Sequence, residues 1–334
     1  MMSAMRYIPK SLWFYTAHHA RLVISPSRRH DFPKQSYAFA RFASRAPPWV
    51  GVAKALQQSG DASAPTLFSR DFSLSDRVAL VSGGNSGLGL EAALAMVEAG
   101  ARAVYCLDLP DAPSDEWTKV RKYVARMERT GGEGRLEYVS ADVRDQEKMW
   151  KVGQILGDRE GRMDICLAAA GILGDAVDCL QYPAQKFQEA LDTDVKGVLF
   201  TAQAAGQQMR RFGNGGSIIL MASIAARNAF KGHPLVHYHT SKAAILQMTR
   251  SLACELAPEG IRVNSVSPGF VLTRFPKPYL DARPEYAQIW GDWNPMGRLA
   301  EPHEMRGVMV WLASDASSFC TGSDILIDGG HAAR

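Results

Sequence analysis

Ser82-Gly83-Gly84-Asn85-Ser86-Gly87-Leu88-Gly89 is the stretch on which the fold turns. It joins a short apolar run, Arg77 to Ser82, to a helical stretch from Gly87 to Ala99. Gly83 can take a sharp turn out of a strand, Gly87 lets a backbone approach a pyrophosphate, and Gly89 lets helix and strand pack closely. The free N–H groups of the helix start would then face phosphates. A glycine pattern alone is weak and could be an ordinary turn. A strand before it and a helix after it are the context that makes it a dinucleotide loop. Its candidate contacts are Gly83, Asn85, Ser86, Gly87, Leu88 and Gly89.

Outward from this loop, apolar strand-like runs alternate with helical patterns. Strands are predicted at Ala103–Leu107, Arg135–Ser140, Ile165–Ala169, Ser217–Met221, Arg262–Val266 and Ile325–Ile327. Helices are predicted at Ser114–Arg129, Gln146–Gly157, Ala184–Phe212, Val236–Ala257 and His303–Ser314. Strands separated by helices pair in parallel through right-handed crossovers. The expected fold class is α/β: a doubly wound parallel sheet of Rossmann type in a single domain, with a disordered N-terminal extension.

The 334 residues suffice for one large domain and an appendage. Residues 1–60 hold nine Lys or Arg and one acid, Asp31, a net of +8. The whole chain nets +4, so the remainder is −4 and offers no charge argument for nucleic acid. No apolar run nears the roughly 18 residues of a membrane span. Residues 1–45, rich in Arg and Ser, read as a mitochondrial targeting segment with a processing-like Arg41-Phe42-Ala43-Ser44. A basic tail with no address, and hence a cytoplasmic protein, is the alternative. Residues 46–73 read as a linker and 74–331 as the NAD(P)-binding domain. Cys106, Cys166, Cys179, Cys254 and Cys320 show no metal-ligand spacing, so no metal is expected, and their pattern suits a reducing compartment.

Asp108 ends the second strand, 19 residues after Gly89. A carboxylate there can accept both adenosine ribose hydroxyls and repels a 2′-phosphate, which favours NAD over NADP. It could also merely cap a turn. Asp142-Val143, after the third strand, is placed to contact the adenine.

Together with this loop and Asp108, Tyr238-His239-Thr240-Ser241-Lys242 and Asn264-Ser265-Val266-Ser267-Pro268-Gly269 resemble the short-chain dehydrogenase/reductase family over about residues 74–331. Tyr238 and Lys242, one turn apart, share a helix face. A free phenol titrates near 10, and a neighbouring ammonium lowers that value. The resemblance implies that Tyr238 is the acid/base, that Lys242 lowers its pKa and holds the nicotinamide ribose, and that Ser223 orients the substrate oxygen. Ser223 precedes Tyr238 by 15 residues, a slightly longer gap than the family usually has, which an insertion around Arg227 to Pro234 would explain. His237 and His239 point off the shared face and are read as structural.

Two departures stand out. Ala168-Ala169-Ala170-Gly171 replaces the family's Asn-Ala-Gly, with Ala169 and Gly171 still placed beside the cofactor. Asp194 stands where the family has its fourth catalytic residue, an Asn. Its carboxylate is expected to pair with Lys242, weaken the effect on Tyr238 and alter the pH profile. The resemblance further implies that Pro268, Gly269, Val271 and Thr273 contact nicotinamide and phosphate. Residues 270–297, irregular and aromatic with Phe270, Phe275, Tyr279, Tyr286, Trp290 and Trp293, are expected to form a lid or a subunit contact.

The implied reaction is NAD(P)-dependent exchange between a secondary alcohol, polyol or aliphatic, and its ketone, in a homotetramer or dimer. A 3-oxoacyl thioester reductase is the rival enzyme, although Asp108 disfavours the NADPH it needs. A catalytically weak nucleotide-binding scaffold is the rival of another class.

Overall fold

The computed structural model describes residues 66–129, 134–274, 276, 280–281 and 283–333. The targeting segment, residues 46–65 of the linker and Phe275, Pro278 and Tyr279 of the expected lid lie outside them. Among the described residues, seven strands form one sheet: β1 (Val78–Ser82), β2 (Ala103–Asp108), β3 (Arg135–Ser140), β4 (Ile165–Ala168), β5 (Gly216–Met221), β6 (Ile261–Pro268) and β7 (Asp324–Ile327). Their order is β3-β2-β1-β4-β5-β6-β7, with every pair parallel. The order reverses between β1 and β4. In such sheets the crevice beyond the carboxyl ends of the strands at that reversal receives the ligand.

The side-chain period of two divides each strand between two cores. On β1, Val78 and Leu80 face one buried cluster, with Met149, Val198, Met209 and Ile245. Ala79 and Val81 face the other, with Leu90, Met96, Trp117, Met309 and Leu312. The first cluster is closed by α3 (Gln146–Glu160), α5 (Gly197–Phe212) and α6 (Val236–Leu256). The second is closed by α1 (Gly87–Glu98), α2 (Asp115–Arg129) and α8 (Arg306–Ala313). With both faces covered, strands such as β1 and β2 carry nearly continuous apolar runs, as a buried parallel sheet requires. Each fully buried Leu or Ile contributes about 1.5–3 kcal/mol.

Three elements differ from expectation. The long helix Ala184–Phe212 is α4 (Ala184–Leu191), a wide π-type turn at Asp192–Lys196, and then α5. The stretch expected to be irregular contains α7 (Glu285–Trp293), whose Tyr286, Trp290 and Trp293 recur at helical spacing. The last helix opens with a tighter 3-10 turn at Pro302–Met305, where Glu301 and Glu304 form a capping box.

Candidate active site

The glycine loop is shaped by collisions that side chains would cause. Gly83 has φ +69, and a Cβ there would lie 2.8 Å from the Ala169 carbonyl. A Cβ on Gly89 would lie 2.2 Å from Gly83 O, so α1 starts against the loop's own backbone. The Ser86 hydroxyl makes no capping bond at this helix start. The first amides of α1 are therefore left to a ligand, the arrangement that receives a phosphate. Asn85 braces the loop instead of lining the cavity: its N–H donates to Asp108 Oδ2 at 3.2 Å, and its Oδ1 accepts Ser114 N–H at 2.7 Å.

A cavity of about 610 Å³ runs across the carboxyl ends of the strands. It brings together Gly83, Ser86, Gly87, Leu88 and Gly89 with Asp108, and Asp142 with Val143. Ala169 and Gly171 after β4, Ser223 after β5, and Pro268, Gly269, Val271 and Thr273 after β6 line it too, as do Tyr238 and Lys242. Of the sequence-predicted positions, Asn85 and Asp194 are the two outside the lining. These contours fit an extended dinucleotide, with the glycine cradle and uncapped helix start for its phosphates and Asp108 for a ribose.

Ser223 is the N-cap of a 3-10 turn, Ile224–Ala226, and its Oγ accepts Ala225 N–H at 3.1 Å. The Tyr238 phenol is hydrogen-bonded to the Ser223 side chain. Lys242 is buried, donates from Nζ to Met221 O at 3.2 Å and lies 5.5 Å from the Tyr238 ring centroid. Asp194, fully buried on the π-type turn, accepts Ile172 N–H at 2.8 Å through Oδ1, while Oδ2 has no partner. Burial pushes its carboxyl pKa up; the Lys242 charge and the Ile172 amide pull it down.

Two electrostatic expectations are corrected here. The Tyr238 pKa is raised, not lowered: burial is the largest cause, the Asp194 charge adds to it, and the Ser223 hydroxyl opposes both. Nor does Asp194 close an ion pair with Lys242. Both groups reach Gly171, where a Cβ would lie 3.2 Å from Asp194 Oδ1 and 3.5 Å from Lys242 Nζ. Asp194 thus acts on the phenol by its own charge and not by occupying the lysine.

His237 donates from Nε2 to Leu173 O at 2.7 Å, and His239 donates from Nδ1 to Leu235 O at 2.7 Å. Neither lines the cavity. Sequence reasoning missed Arg144, whose guanidinium grips Asp142 at 2.7–3.0 Å and holds that carboxyl below its usual range. It also missed Phe230 and His233, which line the cavity from inside the insertion read only as extra length. An aromatic and a His in an insertion next to the candidate serine were the available signal.

A family model described as enoyl-(acyl carrier protein) reductase matches residues 83–332. A sorbose reductase of Schizosaccharomyces pombe is 32% identical over 263 residues, 79% of this chain and 98% of that protein. An L-rhamnose 1-dehydrogenase (NAD(P)(+)) of a Sphingomonas species is 33% identical over 257 residues, 77% and 96% of the two chains. The crystal structure of a short-chain type dehydrogenase/reductase from Mycobacterium marinum superposes with a TM-score of 0.73 at 37% identity, covering 80% of this chain and all of that one.

Proposed function

The chain belongs to the short-chain dehydrogenase/reductase family and is an NAD(P)-dependent alcohol dehydrogenase or ketoreductase; from that premise we propose that it interconverts a secondary alcohol and its ketone with Tyr238 as the acid/base. The observation that carries this is the meeting of Tyr238, Ser223 and Lys242 in the cavity that the glycine loop opens. When bound, the nicotinamide supplies the hydride or takes it up. Ser223 and Tyr238 hold the substrate oxygen by hydrogen bonds. In reduction, Tyr238 passes its proton to that oxygen; in oxidation, the phenolate takes it back. Burial keeps the phenol protonated, so the proton needed in the first direction is in place. Lys242 places an ammonium near the ring and favours the phenolate needed in the second. Asp194 is a positioning residue that biases the phenol from behind.

NAD is the preferred cofactor in this reading, because Asp108 lines the cavity where a 2′-phosphate would arrive. The acyl carrier named in the family description favours a second reading, thioester reduction. Against it, the cavity-lining cations Arg144 and Arg274 are committed to Asp142 and Glu116, leaving little for a carrier phosphate. We also propose a homo-oligomer: β7 is an edge strand, and its Leu326 is turned outward. Light scattering on the purified protein tests this. Mitochondrial import is proposed from residues 1–45, and amino-terminal sequencing of the native protein tests it.

The test of the reaction is Tyr238→Phe. NADH affinity measured by fluorescence should stay within about threefold, while turnover falls about 10²–10⁴-fold. Turnover retained in this variant overturns the assignment.

A further inference from the structure

The two ends of the cavity differ in chemistry. Asp108, Asp142 and Arg144 stand at the ends of β2 and β3. Arg274 is drawn toward that side by Glu116 of α2, at 3.4 Å. Thr273 sits by the glycine loop, its Cβ 3.8 Å from where a Gly87 Cβ would be. Glu189 is near enough to Arg144 to act on its charge. Asp108, Asp142, Arg144, Glu189, Thr273 and Arg274 thus gather at the dinucleotide end.

The end that holds Tyr238 is walled by Ile172, Leu173, Ile224, Phe230, Leu235 and Trp290. Phe270 stacks on Trp290, with centroids 4.5 Å apart and planes at 12°. Among the described residues, the polar side chains lining this end are Ser223, Tyr238, Lys242 and His233, with Thr193 at its border on the π-type turn. Lys242 is turned to the Met221 carbonyl. His233 is occupied at both nitrogens. Its Nε2 accepts the buried Trp290 indole N–H at 3.0 Å, so the ring proton sits on Nδ1, 3.1 Å from Lys231 O. Burial also lowers the pKa of His233, which keeps it uncharged.

We propose that the substrate is a ketone or secondary alcohol whose carbonyl carbon bears apolar aliphatic or aromatic groups, not a polyol. This rests on the alcohol–ketone reading above and narrows it. Ser223 and Tyr238 serve the reacting oxygen. Among the described residues, further hydroxyls would be stripped of water against aliphatic and aromatic walls, with His233 already occupied and Lys242 turned to the Met221 carbonyl. Each hydroxyl buried unpaired costs about tenfold or more in kcat/KM. The sorbose- and rhamnose-directed names of the relatives therefore do not carry over to this pocket.

The experiment compares kcat/KM of the full-length protein for 4-phenyl-2-butanone and 2-octanone with that for L-sorbose and D-fructose, with NADH and with NADPH. The apolar ketones should be favoured at least a hundredfold. Equal or better turnover of the sugars overturns the substrate class and leaves the oxidoreductase reading standing. A protein that binds dinucleotide yet reduces neither set, and oxidises neither set of alcohols, overturns the reaction itself and this inference with it.

Discussion

Replacing Asp194 with Asn isolates the charge behind the phenol. A Cβ on Gly171 would lie 3.2 Å from Asp194 Oδ1 and 3.5 Å from Lys242 Nζ, which is itself 5.5 Å from the Tyr238 ring centroid. Laid end to end, these distances put the carboxylate within about 12 Å of the ring, where a unit charge at an effective dielectric of about 20 contributes about 1.4 kcal/mol, or about one pK unit. A negative charge favours the protonated phenol, so its removal lowers the phenol pKa. Alcohol oxidation needs the phenolate, and its rate rises with pH through that value. The Asp194→Asn variant should therefore move the rising limb of kcat/KM down by about one pH unit or more. Because the phenol is held above its ordinary value near 10, the assay follows initial-rate oxidation along the rising slope, across pH 8 to 11 at constant ionic strength, where the same displacement reads as about a tenfold higher rate at each pH. An unmoved limb, or one displaced upward, refutes the electrostatic argument. Stability gives an independent check. Burial raises the Asp194 pKa, so the folded carboxyl keeps its proton at pH values where the unfolded one has lost it. Wild-type stability from this group is present below the unfolded carboxyl value and is lost as pH rises through the folded value. As pH rises from the ordinary carboxylate range through the folded Asp194 value, thermal unfolding of the Asp194→Asn variant should gain on the wild type; parallel pH dependences contradict this.

Asp108→Asn removes the charge and leaves one acceptor oxygen where the carboxylate uses two, Oδ2 for Asn85 N–H and Oδ1 for Leu109 N–H. It should shift the ratio of NADPH to NADH affinity toward NADPH by about tenfold, roughly 1.4 kcal/mol, in a fluorescence titration; an unchanged ratio would mean that Asp108 does not face the ribose. Gly89→Ala drives a methyl toward Gly83 O, 2.2 Å away. Such overpacking costs about 1–3 kcal/mol, so a lower unfolding temperature and weaker NADH binding are expected together, and wild-type binding would show that the loop is not the phosphate cradle. Burial raises the Cys106 and Cys166 thiols to about 12, whereas Cys179 and Cys254 are exposed. Iodoacetamide at pH 8 should label the exposed pair first by peptide mass mapping, and early labelling of Cys106 would contradict its place in the core.

The sheet was legible because its evidence is local. Apolar runs such as Val78–Ser82 and the loop at Gly83–Gly89 carry their geometry in consecutive residues. The same holds for Tyr238 and Lys242, which one turn of helix brings into one cavity. The break at Asp192–Lys196 was not legible: a single widened turn barely disturbs a helical pattern, and packing decides where it falls. Helix Glu285–Trp293 was hidden by the prolines around it, although Tyr286, Trp290 and Trp293 already held the right spacing. The direction of the Tyr238 pKa depends on how deeply the ring is buried and on the carboxylate behind it, and neither is encoded in neighbouring letters.

His237 links two tasks that enzymes often keep apart. Its imidazole stacks on Tyr182, with centroids 4.5 Å apart, and hooks the carbonyl of Leu173, while its backbone carries the very next residue, Tyr238. The segment carrying the cavity-lining Leu173 and helix α6, which carries Tyr238, are therefore joined through one ring. A change in the position of the Leu173 carbonyl would be felt at His237, one residue from Tyr238. Retargeting this scaffold by redesigning the segment around Leu173 therefore has to leave that carbonyl where it is.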